Sequence, residues 1–263
     1  MSEDSLILSI DPPSATFTLN RPDKLNAITD SMLDALHGHC RRLENRRDIR
    51  AVIITGSGER AFSAGGDVAA WSALPPDEFA RHWVRNGHVA LDALAQLSQP
   101  VIAVLNGHVL GGGLELAATA DIRIAESHIR IGQPETTLGI IPGWSGTQRA
   151  TRRFGAQMVR RMALFGEMLD AEQALRYGIV DYVVERGEGG QKAQALVQQL
   201  TERSPLATEL TKQLINAAEH EDASRAIEAL AGQVAASSED LKRGLHAFRQ
   251  KKKADFGTPD TDS

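Results

Sequence analysis

One cysteine, Cys40, occurs in the 263 residues. A lone thiol excludes an intrachain disulfide and a cysteine-based structural zinc site. It points to a reducing, cytoplasmic setting. Long apolar runs are also missing. The longest uninterrupted one, Val101–Leu105, falls far short of the roughly 18 residues that a membrane span needs. The opening stretch, MSEDSLILSI, is acidic where a secretory leader is basic. Basic excess is absent too: 29 Lys and Arg against 34 Asp and Glu leave a net charge of −5. Such a balance disfavours a general nucleic-acid binder, which needs a cationic face to displace counterions, although a local basic patch can still face a phosphorylated ligand. The eight histidines form no H-E-x-x-H pair, so no metal site is expected. What remains is 42% hydrophobic and 24% charged, which suits one large domain or a core with a small appended piece.

Leu6, Leu8 and Ile10 alternate, and Thr16–Asn20 reads as a second strand, with Pro12-Pro13 forcing the turn between them. Asn26–Leu43 has helical spacing, with Met32, Leu33, Leu36, Cys40 and Leu43 on one face. Ala51–Thr55 and Val101–Leu105 read as buried strands, with a helix over Ala80–Leu97 between them. Leu114–Ala120 reads as a helix, and Ile122–Ala125 and Ile129–Ile131 as strands. This rhythm predicts an α/β core with right-handed crossovers. After Gly190 the strand-like runs stop. Helices are expected over Gln191–Arg203, Ser204–Glu219, Ala223–Ala236 and Asp240–Lys253. Gly187–Gly190 is the expected hinge, dividing a core over 1–190 from a helical segment over 191–263. No exact internal repeat is visible.

Two catalytic signatures are approached but not completed. Gly56–Ala61 fits G-x-G-x-x-A after a strand, yet Gly65-Gly66 would break the helix that a dinucleotide site requires. A tight turn explains those glycines. Ala61-Phe-Ser63-Ala-Gly65 resembles a nucleophile elbow but has Ala in its first position, and no His/Asp pair completes a triad.

The strongest local pattern is Asn106-Gly-His-Val-Leu-Gly111-Gly112-Gly113-Leu-Glu115, a strand running through three glycines into a helix. Consecutive glycines cost conformational entropy; they make sense where a ligand approaches the backbone. Amides at a helix start lack internal partners and can stabilise an oxyanion. A second glycine-rich stretch, Ser63–Asp67, could supply another donor. Two carboxylates join the set. Glu115 lies on the first helical turn, and Glu135 lies in Gly132-Gln-Pro134-Glu135. Alone, each is an ordinary charge; the frame gives them meaning.

In order along the chain, these stretches resemble the enoyl-CoA hydratase/isomerase (crotonase) superfamily. The matches are Leu19-Asn-Arg-Pro22 with Leu25-Asn26-Ala27, Ala61–Asp67, Asn106-Gly107 with Gly111–Glu115, Ala120-Asp-Ile122 and Gly132–Glu135. They continue with Leu138-Gly139, Ile141-Pro-Gly143, Gly146-Thr-Gln-Arg149, Ala174–Val180 and Phe248–Phe256. The resemblance implies a spiral of repeated ββα units followed by a helical trimerisation segment, and a homotrimer or homohexamer. It implies a hydro-lyase of fatty-acid metabolism, acting on an acyl-CoA thioester with no separate cofactor. Membrane and nucleic-acid partners are not expected.

By the same resemblance, Ala64 and Gly112 carry the oxyanion-hole amides, and Glu115 and Glu135 are the two catalytic glutamates. Glu115 would position and activate water, and Glu135 would exchange a proton at Cα. Lys24, Leu25, Ala27, Ala61, Ala64, Gly65, Gly66, Asp67 and Gly111 match the CoA-binding regions, and Lys251 and Lys252, with Lys253, match the C-terminal CoA-side segment. That lysine cluster reads equally as a solvated cationic helix end.

Several positions depart from the family pattern. Trp144 and Ser145 stand where small residues are common, and His108 and Val109 replace an aromatic and a small residue. Trp71 and Trp83 lie in the variable segment that covers the acyl end. These departures bear on the acyl group, and Trp144 reads equally as projecting into or beside its pocket or as packing the loop that carries it. An enoyl-CoA isomerase or a specialised CoA-ester dehydratase or lyase would share the fold, but isomerisation needs only one proton shuttle. A dehalogenase would need an aspartate within Thr136–Arg149, which has none. A non-catalytic CoA-ester or RNA-binding scaffold is disfavoured by the two glutamates and the negative charge.

Overall fold

The computed structural model describes residues 5–221 and 223–256. The chain forms two compact units, residues 1–210 and residues 211–263.

The first unit opens with an antiparallel hairpin, β1 (Leu6–Asp11) and β2 (Ser14–Leu19), turning at Pro12-Pro13 as expected. Helix α1 (Asp30–Leu43) buries Met32, Leu33, Leu36, Cys40 and Leu43, the predicted face. It begins at Asp30 rather than Asn26. Leu25 and Asn26 are left-handed, with φ of 51° and 52°, and Thr29 caps the helix by accepting from Met32 N. Such a cap contributes about 1 kcal/mol.

From there the chain climbs in repeated steps. Strand β3 (Ala51–Gly56) enters one sheet and β4 (Ala61–Ser63) enters another. Strands β5 (Val101–Leu105) and β6 (His108–Leu110) do the same, as do β7 (Ile122–Glu126) and β8 (Arg130–Gly132). The larger sheet runs β1-β2-β3-β5-β7-β10 and the smaller β4-β6-β8-β9, with β9 (Leu169–Asp170) and β10 (Tyr182–Val184) closing one edge of each. From β2 onward the larger sheet is parallel.

Between β4 and β5 lie α2 (Val68–Trp71), α3 (Pro76–Glu78), a π-helical stretch Phe79–Val84 and α4 (Arg85–Ala95). Helix α5 (Gly112–Ala117) follows β6, and a 3-10 turn, Glu135–Leu138, follows β8. Then come α6 (Arg149–Phe154), α7 (Ala156–Phe165) and α8 (Ala171–Arg176).

The central strands are buried on both faces, which explains their unbroken apolar runs. Val52, Ile54, Val101, Ala103 and Leu105 join the main core. The alternate residues Ala51, Ile53, Ile102 and Val104 pack instead with Ala193 and Val197 of α9 (Gly189–Thr201). This packing corrects the expected division at 190: α9 covers a face of the larger sheet and belongs to the first unit. Gly187 does turn the chain, with φ of 85°, but Gly189 is no hinge. A Cβ there would stand 2.6 Å from Val104 Cγ1, so the helix start lies flat against β5.

Helix α10 (Pro205–Ala218) carries the chain across the unit boundary. The second unit continues with α11 (Ala223–Ala236) and α12 (Glu239–Arg249). Ser238 caps α12 by accepting from Leu241 N. This helix stops short of the expected Lys253 because the chain turns at Lys251, φ 52°, and Arg243 Nη1 donates to Phe256 O at 2.7 Å. No helix among the described residues is long and apolar enough to cross a membrane.

Candidate active site

Two loops meet beneath the site. Asn26, 1% exposed, donates through Nδ2 to Ser57 O and Ala61 O and accepts from Arg21 N. Ser63 Oγ donates to Asn26 O and accepts from Gly65 N. It is fully buried, which disposes of a nucleophile there. Arg21 Nη1 reaches Asp67 Oδ2 at 2.8 Å, and Asp67 caps α2 by accepting from Ala69 N. The 21–28 and 61–67 segments are thereby fixed to each other.

This zipper corrects one expectation. Ala64 N donates to Leu25 O at 2.9 Å, so that amide is already spent. Among the described residues, neither Gly66 N nor Gly112 N donates to an acceptor. The two lie close together: a Cβ on Gly112 would stand 3.3 Å from Gly66 N. The pair of free amides is therefore Gly66 and Gly112. Gly112 carries one of them, whereas Ala64 N is engaged by Leu25 O.

Each glycine of the 111–113 run answers to a neighbour. Gly111 has φ of 53°, a left-handed conformation that favours glycine. A Cβ on Gly112 would meet the Trp144 ring at 2.8 Å, and one on Gly113 would meet Ser63 O at 2.4 Å. The helix start can approach β4 and the cleft only because these side chains are absent.

Glu115 projects from the first turn of α5 and is 3% exposed. Its Oε1 accepts from Trp144 N at 2.7 Å and from Gly146 N at 2.6 Å. Burial pushes this carboxyl up to about 8; the like charge of Glu135 adds to the rise, while the two amides and Arg149 oppose it. Glu135 opens the 3-10 turn after Pro134 and sits over Gly111, where a Cβ would lie 3.1 Å from its Oε1. Both of its oxygens are buried without a hydrogen-bond partner. Burial pushes it up to about 6.

The two glutamates line one cleft of about 580 Å³, part of it open to solvent, together with Ala64, Gly65, Gly66, Gly111 and Gly112. Its far wall is aromatic. Trp83 and Trp144 pack with ring centres 5.0 Å apart and planes tilted by 44°, and Trp71 meets Phe79 edge-on at 5.7 Å. All three tryptophans line the cleft.

Other predicted residues lie elsewhere. Ala61 is 3% exposed, packed in β4 and outside the cleft lining. Lys24, Leu25 and Ala27 lie on the neighbouring loop, also outside the lining, and the Asp67 carboxylate is engaged as described. Lys251 and Lys252 are exposed residues of the second unit. His108 is exposed, its Nδ1 accepting from Arg130 N, and Val109 is core. Neither lines the cleft.

Sequence reasoning named Gln133 and Ser145 within motifs but gave neither a role of its own. Gln133 is 1% exposed, and neither Oε1 nor Nε2 has a hydrogen-bond partner. Ser145 Oγ lies 3.1 Å from His88 Nδ1. The Gln133 position was legible only as part of the 132–135 motif; the Ser145–His88 contact had no sequence signal.

Comparison with known proteins agrees with this frame. The profile of the enoyl-CoA hydratase/isomerase family matches residues 14–259. A short-chain-enoyl-CoA hydratase of Clostridium acetobutylicum is 37% identical, the match covering 96% of this chain and 97% of the relative. A crotonyl-CoA hydratase of Syntrophomonas wolfei is 34% identical over 97% and 99% of the two chains. Among solved structures, Pseudomonas aeruginosa DspI superposes with a TM-score of 0.80 at 31% identity, covering 98% of each chain. An enoyl-CoA hydratase from Bacillus anthracis does so with a TM-score of 0.78 at 30% identity, over 96% and 98%. With its profile matched from β2 to beyond α12, the chain belongs to the enoyl-CoA hydratase/isomerase family.

Proposed function

We propose that the protein is an enoyl-CoA hydratase, adding water reversibly across the 2,3 double bond of an enoyl-CoA thioester. The observation that carries this reading is the pairing of two buried carboxyls with two unclaimed amides in one cleft. The thioester oxygen accepts from Gly66 N and Gly112 N, which bind it more strongly as it gains enolate charge. A water held by Glu115 attacks C3 and loses its proton to that carboxylate. The π electrons move to C2 and the thioester carbonyl. C2 then takes a proton from Glu135. Both donors to Glu115 use Oε1, which leaves Oε2 for the water. Addition of water needs no redox group, and CoA arrives with the substrate.

The proton inventory supports the reversible reaction. Near pH 7, values of about 8 and about 6 leave roughly one proton on the pair, held mainly by Glu115. That arrangement is the one for dehydration: Glu115 protonates the departing hydroxyl while Glu135 removes the C2 proton. Hydration runs through the complementary state, with the proton moved to Glu135.

The test is loss of the conjugated enoyl-thioester absorbance with crotonyl-CoA and a panel of longer and aromatic enoyl-CoAs. Turnover of at least one is expected; no turnover of any overturns the reading. We propose a homotrimer or homohexamer built through the helical segment, a reading supported by the exposure of Ile227, Val234, Leu241 and Phe248. Light scattering checks it.

A further inference from the structure

We propose that His88 and Ser145 form a positioning pair that holds the turn presenting the Trp144 and Gly146 amides to Glu115. The inference rests on Glu115 being the water-holding carboxylate. Its starting point is backbone geometry. Ser145 has φ of 79°, in the left-handed region, although it is not glycine and is only 7% exposed. A non-glycine residue keeps that conformation where its surroundings impose it. Ser145 stands between the two residues whose amides hold Glu115 Oε1. If it relaxes, both donors swing away together.

Helix α4 and the stretch before it supply the constraint. The Ser145 hydroxyl lies 3.1 Å from His88 Nδ1. On one side, Gly87 makes room for Trp144, since a Cβ there would overlap the indole at 2.0 Å from Nε1, and that Nε1 donates to Trp83 O at 3.1 Å. One turn further along, Asp92 Oδ1 accepts from Arg149 Nη2 at 2.6 Å. The 144–149 segment is therefore braced at both ends. His88 grips the middle, where the strained residue lies. The Ser145 carbonyl adds a second tie, accepting from Gln148 N and Ala150 N at the start of α6. The mechanism otherwise uses neither His88 nor Ser145.

The experiment compares H88A, H88N, S145A and S145G with wild type on whichever enoyl-CoA turns over fastest. A side-chain amide at 88 can place a polar atom near the lost Nδ1. Glycine at 145 adopts the left-handed turn without a partner, whereas alanine keeps the Cβ and loses the hydroxyl. Expected for H88A is a roughly tenfold loss in kcat with KM within about twofold, because the glutamate orientation and not thioester binding suffers. H88N should recover to within about threefold, S145A should fall as far as H88A, and S145G should fall less than S145A. The H88A/S145A double variant should lose little more than either single one, since both break the same contact.

Wild-type kcat in H88A, a loss confined to KM, no recovery in H88N, or an additive double variant would each overturn the pair. If H88A does not fold, the S145A to S145G ratio decides, and a ratio of one or above overturns it. Wild type inactive across the whole panel would instead bring down the hydratase reading.

Discussion

The two sides of the cleft are built differently. On the α5 side, a strand of the smaller sheet feeds straight into a helix whose residues Gly112–Ala117 are all buried. Glu115 is carried there by sheet geometry and gripped by two amides. On the opposite side, Glu135 begins a 3-10 turn with no buried residue, and its carboxylate has no donor. One carboxyl is oriented by the protein; the other is buried with no partner. The contrast teaches why two identical side chains differ in proton affinity. Full burial outweighs the two amides at Glu115, while partial burial moves Glu135 less.

That contrast can be broken most forcefully by mutation. E115Q and E135Q are each expected to lower kcat by about 10²–10⁴. The double variant should lose far less than the product of the two, since the residues act as a unit. Stopped-flow or steady-state turnover checks both statements. An intermediate effect is expected on titration. The proposed mechanism needs one proton on the pair, so kcat/KM against pH should be bell-shaped. It should fall below about 6, where both carboxyls are protonated, and above about 8, where both are ionised. A flat profile from 5 to 9 would contradict the assigned environments.

The smallest expected effect is on stability. Glu115 ordinarily titrates near 4.5 and is raised to about 8 by burial. Between those values the folded chain keeps a proton that the unfolded chain has lost, so stability falls as pH rises through that window. E115Q lacks this penalty. Its Tm should gain on wild type between pH 5 and pH 8, by roughly 2–4 °C for each kcal/mol removed. A constant difference across that range would show that folding does not raise this carboxyl above its ordinary value.

Much of this architecture was legible in the residues. The apolar face of α1, the buried runs at 51–54 and 101–105 and the three glycines before Glu115 all carry local periodicity or local cost. The helical character of the chain beyond 190 was legible too, but not its partition. Ala193 and Val197 repeat with a helical spacing that says nothing about which surface they cover. The assignment of Ala64 failed for a related reason. Motif spacing places a loop beside a ligand but does not show which amide another segment has claimed; Leu25, at the far end of a separate loop, took that one. His88 and Ser145 are separated by 57 positions and have no shared motif.

The sequence by itself determined the long apolar strands and the longer helices, the single-cysteine, negatively charged character and the two glutamates, because side-chain periodicity, glycine cost and charge are properties of the local chain; the short elements at 61–63, 149–165, 169–176 and 182–184 were not legible there. Only the tertiary structure decided that successive strands alternate between two sheets, that Gly66 and Gly112 keep the free amides, and that Glu115 holds its proton more tightly than Glu135. Those outcomes depend on hydrogen bonds and desolvation between distant segments, and neither exists until the chain has folded.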